Sequence, residues 1–533
     1  MTGRISVRNL ANSYGIVPMP QSIEVAANSD SFTLMADTAI VCQGEAGKAC
    51  AAYLQQRLAA ATGLTLAVTG ADSGRAILLE VAPETLAFTE QEAYTFQSSA
   101  DRILITGKSA AGVFYGVQTL LQLLPAAVYG DTVQPGLDLA IPALRISDKP
   151  SLDRIRGLHV DLARHFRTLD ELRTVIDCMA MHKLNTLHLH LSDDEGWRVE
   201  LEAYPHLTAV GAIGNKSNPE APAAFLTQDD VRDLCAYAKS RYIAVIPEID
   251  MPGHMGAAIK SYPELKSATE LRDPGKVMRI DEQGQAFAKA VLREIDGLFQ
   301  PGYIHIGCDE VNVFVDEPIY TDEELQGFVQ AMTSYVKDEL KKTPIVWDDP
   351  FEKGFYDRDT VVQWWRYGKK HWWAPIDRTI DEGLNAEKQP FIMSPAYWTY
   401  FDMPNVRPEE GYAGWAQPIS AAELYNWDPF EDMFGVTAAT RELTLGAIAC
   451  TWSETIVTMT DFGDRTFPRL AAYAERLWRG GKSEAPSILS WPEYRDRVLI
   501  PFQLKRYDAL GIHYWSKDEP QKLLALEDKA KKL

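Results

Sequence analysis

Eight short apolar runs punctuate the chain beyond residue 150, and each finishes in polar or aromatic residues. They occupy 155–163, 186–192, 242–250, 303–310, 343–349, 360–365, 390–398 and 446–454. Between them, apolar residues recur at helical spacing, most clearly over 168–183, 228–240, 282–298 and 323–340. Continuous apolar strands separated by helix-length connections predict parallel strands joined by crossovers. Eight such units predict an α/β fold, a closed (β/α)8 barrel. The 399–445 connection is too long for a plain linker and is expected to be a functional loop.

The first part of the chain has a different texture. Residues 76–81 and 102–106 alternate as strands, and 109–124 reads as a helix packed on a sheet. A loose lead-in ends at Pro18-Met19-Pro20, and the turn Asp148-Lys149-Pro150 closes this part. The expected organisation is a small α+β domain over 1–148, the barrel over 149–515 and a charged helical tail over 516–533. There is no internal repeat and no low-complexity tract.

Composition narrows the function. At 46% hydrophobic, the 533 residues suffice for sizeable cores. With 53 basic against 74 acidic residues, the net charge of −21 argues against nucleic acid or an anionic membrane as partner. It suits an enzyme with a neutral substrate. Cys42, Cys50, Cys178, Cys235, Cys308 and Cys450 form no CxxC pair and read as reduced thiols. The N-terminus carries no apolar leader and no run is long enough to span a membrane, so a cytoplasmic location is expected, or a secreted or periplasmic one had a leader been removed.

The C-terminal ends of barrel strands face one mouth, where chemistry is done. Here they bring Asp161 and Arg164; Ser192, Asp193 and Asp194; Glu248, Asp250 and His254; Asp309 and Glu310. Trp347, Asp348 and Asp349 follow, then Trp364 and Trp365, then Tyr397, Tyr400 and Asp402, and last Trp452 and Glu454. Twelve of the 13 tryptophans lie after residue 340. Aromatic faces with carboxylates suit a sugar: ring C–H faces stack on Trp, and hydroxyls take charge-assisted hydrogen bonds. The adjacent Asp309-Glu310 can share one site only if the strand stops and the chain turns, because successive strand residues point oppositely. Glu310 is the candidate general acid. A second carboxylate acts either as nucleophile or, where the substrate's 2-acetamido group attacks, as its support, the role expected of Asp309.

These residues resemble glycoside hydrolase family 20, the β-N-acetylhexosaminidases. His305-Ile306-Gly307-Cys308-Asp309-Glu310 is similar to that family's H-x-G-G-D-E signature. Asn185 through Arg198, Pro247 through His254, Thr451 through Glu454, Pro468 through Trp478 and Gly112 through Leu120 resemble further motifs in the family's order. The resemblance implies an exo-acting, retaining enzyme that removes terminal β-linked GlcNAc or GalNAc through an oxazolinium, with no cofactor and no metal. It implies Glu310 as acid/base, Asp309 on the acetamide nitrogen, Tyr400 on its oxygen, and Asp193 with His254 as a relay to Glu310. Arg156, Asp402 and Glu454 would hold hydroxyls, with Trp347, Trp365 and Trp452 around the acetamido methyl and ring. Choosing Trp365 over Trp364 is a choice of register. The implied partner is a glycan or glycoconjugate; a homo-oligomer is left open. The chain departs from the pattern at Cys308, where Gly is usual, at Leu189, where Trp is common, and in the short segment between Val311 and Lys341.

Two other readings compete. His188 and His190 share one strand face and, with His254, His305 and Asp309, could hold a metal as in metal-dependent barrel hydrolases. A barrel that binds sugar without cleaving it is the other, since fold alone does not imply activity.

Overall fold

The computed structural model describes residues 14–25, 30–71, 74–267, 275–312, 318–350, 358–366, 383–384, 388–406, 417–432, 436–481, 489–519 and 522–523. Strands Ile155–Asp161, Thr186–His190, Ala244–Glu248, Tyr303–His305, Thr343–Trp347, Val361–Trp364, Phe391–Met393 and Thr444–Thr451 close into a barrel in chain order. All pairings are parallel, and the first strand seals against the last through Ile155 opposite Gly446. Each of the eight expected runs holds one of these strands.

The helices begin where the mouth loops end, and their starts are written into the sequence. Thr168 and Glu171 form a reciprocal capping box on Leu169–Met181, Thr227 and Asp230 do so on Gln228–Lys239, and Thr321 and Glu324 on Asp322–Ser334. Each cap satisfies backbone N–H groups that the helix cannot pair internally, stabilising by about 1 kcal/mol. The last of these helices ends as one turn of π-helix, Tyr335–Glu339. Among the described residues, the long connection before the eighth strand holds three short helices, Ala396–Thr399, Ala421–Asn426 and Ala438–Arg441. Of the expected helical tail over 516–533, residues 516–518 form a turn, and 520–521 and 524–533 lie outside the described residues.

Strand alternation sorts the barrel interior into levels. Ile155, Ile246, Ile345, Val361, Ile392 and Ile448 form an apolar floor of their own. Two residues on from floor positions stand the buried Glu248, Trp347 and Gln363, and the buried His159, His188 and His305 gather around Glu248. The outward positions, such as Leu158, Leu187 and Val346, join the main core shared with the helices.

The N-terminal domain is a seven-stranded mixed sheet in the order Ser22–Val25, Leu144–Asp148, Tyr94–Ser98, Arg102–Gly107, Ala76–Val81, Ala39–Cys42, Ala67–Thr69. Helices Gly44–Thr62 and Ala110–Leu123 pack on it. A Cβ at Gly116 would stand 2.3 Å from Ile105 Cγ2, so the second helix lies against the sheet only with glycine there.

Arg156 belongs to the contact between these domains and not to the sugar site. Its guanidinium pairs with Glu92 at 2.6 Å, donates to the carbonyls of Lys183 (2.9 Å) and Leu152 (2.8 Å), and lies over the Trp478 ring. The reason is parity. Arg156 sits five residues before Asp161 on the same strand, and an odd spacing puts the two on opposite faces. Nearby, Asp148 accepts from Tyr94 Oη (2.7 Å), Trp478 Nε1 (2.9 Å) and Lys183 Nζ (3.1 Å), all of them buried.

Candidate active site

The acid pair shares the mouth because the fourth strand stops early. It ends at His305, and Gly307, Cys308 and Glu310 then take left-handed backbone at φ of 66°, 74° and 52°. A Cβ on Gly307 would fall 1.7 Å from Asp250 Oδ1, so this position admits only glycine. Cys308 and Glu310 hold the same conformation against a penalty of about 1–3 kcal/mol each. Two side chains brace the turn: Cys308 N donates to Asp250 Oδ1 (3.2 Å), and Glu310 N to Asp349 Oδ1 (3.4 Å). The left-handed φ at Cys308 is a physical reason for glycine to be usual there.

His254, itself at φ 53°, reaches both acids: its Nε2 lies 3.5 Å from Glu310 Oε2 and 3.7 Å from Asp309 Oδ2. Its Nδ1 faces Asp193 Oδ1 at 3.1 Å. Burial works against the imidazolium, but the Asp193 carboxylate outweighs it, with Glu310 and Asp309 adding, and holds the His254 pKa well above the ordinary value. Burial likewise opposes ionisation of Asp193, yet Arg164, His254 and His190 together hold it well below the ordinary carboxylate range. Asp309 goes the other way: burial, then the neighbouring charges of Asp250, Asp349 and Glu310, push its pKa well up despite His254. Its Oδ1 is buried without a hydrogen-bond partner among the described residues.

Aromatic side chains wall the space beside this pair. Trp365 stacks on Tyr400 with ring centres 6.3 Å apart, and its Nε1 donates to Asp349 Oδ2 at 2.8 Å. Trp452 lies 6.2 Å from Tyr400 and 5.7 Å from Trp347, which is fully buried at the base. Val361, Gln363 and Trp365 share the inward parity and Trp364 does not. Asp402 presents an Oδ1 with no hydrogen-bond partner among the described residues, and Glu454 stays 42% exposed.

Arg164 supplies the arginine at this mouth. It pairs with Asp193 (2.8 Å), Asp161 (3.2 Å), Glu195 (3.5 Å) and Glu454 (3.9 Å), and lies over Trp452. It stands three residues past the inward-facing Asp161 at the strand end, and that position was the available signal. Asp349, which positions both Trp365 and the Glu310 backbone, was visible only as part of a strand-end Asp-Asp pair.

The five residues considered for a metal do not gather at one point. His188 and His305 group with Glu248, whereas His254 and Asp309 group with Asp250. Asp250 also bears on stability. Burial pushes its pKa up to about 7, and its Oδ2 has no hydrogen-bond partner among the described residues. A carboxyl raised in the folded state favours folding while neutral, fully so below the unfolded-state value near 4, and this advantage is lost as pH rises through about 7. Asp250→Asn should therefore gain stability relative to the parent as pH rises from about 4 to about 7, by up to about 1.4 kcal/mol for each pH unit crossed. Urea midpoints at the two ends of that range check this, and a pH-independent difference would refute it.

Paired acids braced by a strained turn, with an imidazole behind and indole walls beside, define the class as a barrel glycoside hydrolase. The catalytic-domain model of glycosyl hydrolase family 20 matches residues 154–481, and that family's domain 2 matches residues 13–149. The chain belongs to glycosyl hydrolase family 20. It is similar to a β-hexosaminidase of Porphyromonas gingivalis, 31% identical over 506 residues, covering 89% of this chain and 62% of that one. Its fold is similar to the family 20 β-N-acetylhexosaminidase of Streptomyces coelicolor, with a TM-score of 0.81, 30% identity and coverage of 94% and 97% of the two chains. A mutant Streptomyces plicatus β-hexosaminidase in complex with product (GlcNAc) is similar at a TM-score of 0.80 and 28% identity, covering 95% and 97%.

Proposed function

We propose that this chain is an exo-acting, retaining β-N-acetylhexosaminidase that removes a terminal β-linked GlcNAc or GalNAc with the help of the substrate's own acetamide. Glu310 protonates the glycosidic oxygen as the acetamide oxygen attacks C1 and the leaving group departs. The acetamide N–H donates to Asp309, and Tyr400 donates to the acetamide oxygen and turns it toward C1. The resulting oxazolinium is opened by water, which gives its proton to Glu310 and restores the β configuration.

The observation that carries this reading is the state of Asp309. It is buried beside the acid with one oxygen unpaired among the described residues, and burial with the neighbouring carboxylates makes its carboxyl resist ionisation. A positively charged acetamide is the partner that would relieve it, since an opposite charge in a dry site favours the carboxylate. A glucoside brings no such group. Arg164, Glu454 and Asp402 line the side where hydroxyls would be held, and the family membership and the GlcNAc complex of the similar Streptomyces plicatus enzyme support the substrate class.

The test compares p-nitrophenyl β-N-acetylglucosaminide with p-nitrophenyl β-glucoside in EDTA, with the product anomer read by NMR. Cleavage of the first alone, with the β anomer released first, is expected. Equal cleavage of both, or release of the α anomer, would defeat the mechanism.

A further inference from the structure

Glu248 ends the third barrel strand with no exposed surface, and it lies in a nest of imidazoles. Its Oε2 is 2.9 Å from His188 Nε2, 2.9 Å from His190 Nδ1 and 3.9 Å from His159 Nε2. Its Oε1 is 3.3 Å from His305 Nδ1 and accepts from Trp347 Nε1 at 2.8 Å. A buried carboxylate is stable only when a positive charge compensates it.

His190 is the group that supplies the charge. Its other nitrogen, Nε2, meets Asp193 Oδ2 at 2.8 Å, so both ring nitrogens face carboxylate oxygens. Nε2 is hydrogen-bonded to Asp193, and Nδ1 lies at ion-pair distance from Glu248 Oε2 without hydrogen-bond geometry, so the ring sits between two carboxylates, the setting that favours an imidazolium. The electrostatics agree: burial opposes the charge, but Glu248 and Asp193 together hold the His190 pKa well above the ordinary value. Burial also opposes the Glu248 charge, which the surrounding imidazoles together outweigh, His190 among them in its charged form. Burial drives His159 and His305 toward neutrality, His305 to a pKa of about 3.

An alternating line of acids and imidazoles thus runs from the barrel interior to the mouth: Glu248, His190, Asp193, His254, Glu310. We propose that Glu248 and His190 are positioning residues for the reaction, a buried ion pair that keeps Asp193 ionised and aimed at His254, and so sets the acid–base state of Glu310; this rests on the assignment of Glu310 above. His190 holds Asp193 Oδ2, which leaves Oδ1 for His254. Glu248 keeps the proton on His190. Other charged groups face this pair: Arg164 on Asp193, and Asp161 and Asp250 within electrostatic reach of His190. The Cys308 and Cys450 thiols near Glu248 are pushed up by burial and stay neutral.

The test is the pH profile of kcat/KM for Glu248→Gln, with phenyl and 2,4-dinitrophenyl β-N-acetylglucosaminides as substrates. Without Glu248 the buried imidazolium gives up its proton within the assay range. For the phenyl substrate, whose leaving group needs the acid, the basic limb should move down by at least about one pH unit. Activity should return toward the parent's on the acid side, and the dinitrophenyl substrate should change little. Glu248→Asp, which keeps the charge, should restore most of the profile; if Glu248→Gln does not fold, His190→Gln carries the leaving-group comparison. An unmoved limb, or an equal loss on both substrates at every pH, would overturn the proposal. So would a stoichiometric divalent metal in the purified protein, because His190 Nδ1 would then be a ligand. A Glu310→Gln control showing no leaving-group dependence would instead fault the acid assignment.

Discussion

Replacing Asp309 by Asn is expected to lower kcat by about 10²–10³-fold on every N-acetylhexosaminide, with a much smaller change in KM. The amide keeps the volume and one acceptor of a side chain that is only 13% exposed, so the pocket should keep its shape. What it removes is the negative charge that faces the acetamide nitrogen as the acetamide becomes positive. That interaction matters only when charge develops, so it belongs to the transition state and not to the ground state. Affinity for a thiazoline analogue of the oxazoline should fall in parallel. A loss confined to KM, or an unaltered kcat, would remove Asp309 from the chemistry.

Glu310→Gln has a different signature. The loss in kcat/KM should be about 10²–10⁴-fold for a phenyl or sugar leaving group and far smaller for 2,4-dinitrophenolate, which departs without a proton. His254 Nε2 lies 3.5 Å from the carboxylate it would lose, so that nitrogen would keep only the Asp309 carboxylate in reach while Nδ1 stays on Asp193. A steep dependence on leaving-group pKa in the variant is the measurement, and a uniform loss across leaving groups would point to misfolding of the turn.

The barrel was legible because parallel strands buried on both sides are apolar almost without interruption, and eight of them leave little choice of architecture. The mouth was legible for the same reason, since a strand end is where an apolar run stops. What sequence reading missed lies in direction. Arg156 and Arg164 flank one strand, and only counting inward from Ile155 through His159 to Asp161 separates the arginine of the domain contact from the arginine of the site. Trp365 and Trp364 pose the same question and parity resolves it. Glu248 escaped for another reason: nothing local in Pro247-Glu248 tells that four imidazoles from three other strands converge on it. The left-handed turn at Gly307, Cys308 and Glu310 was expected as a turn, but its bracing by Asp250 and Asp349 is tertiary.

The contact through Arg156 and Asp148 bears on how the protein comes apart. Loss of the N-terminal domain alone would strip Glu92 from Arg156 and Asp148 from Lys183, removing a paired counter-charge from each of two cations on the barrel side. An isolated barrel would therefore have to rehydrate or re-pair both cations, a cost that the joined chain does not carry. The small domain, remote from the chemistry, acts as the barrel's internal counter-ion, which ties the barrel's stability to its neighbour.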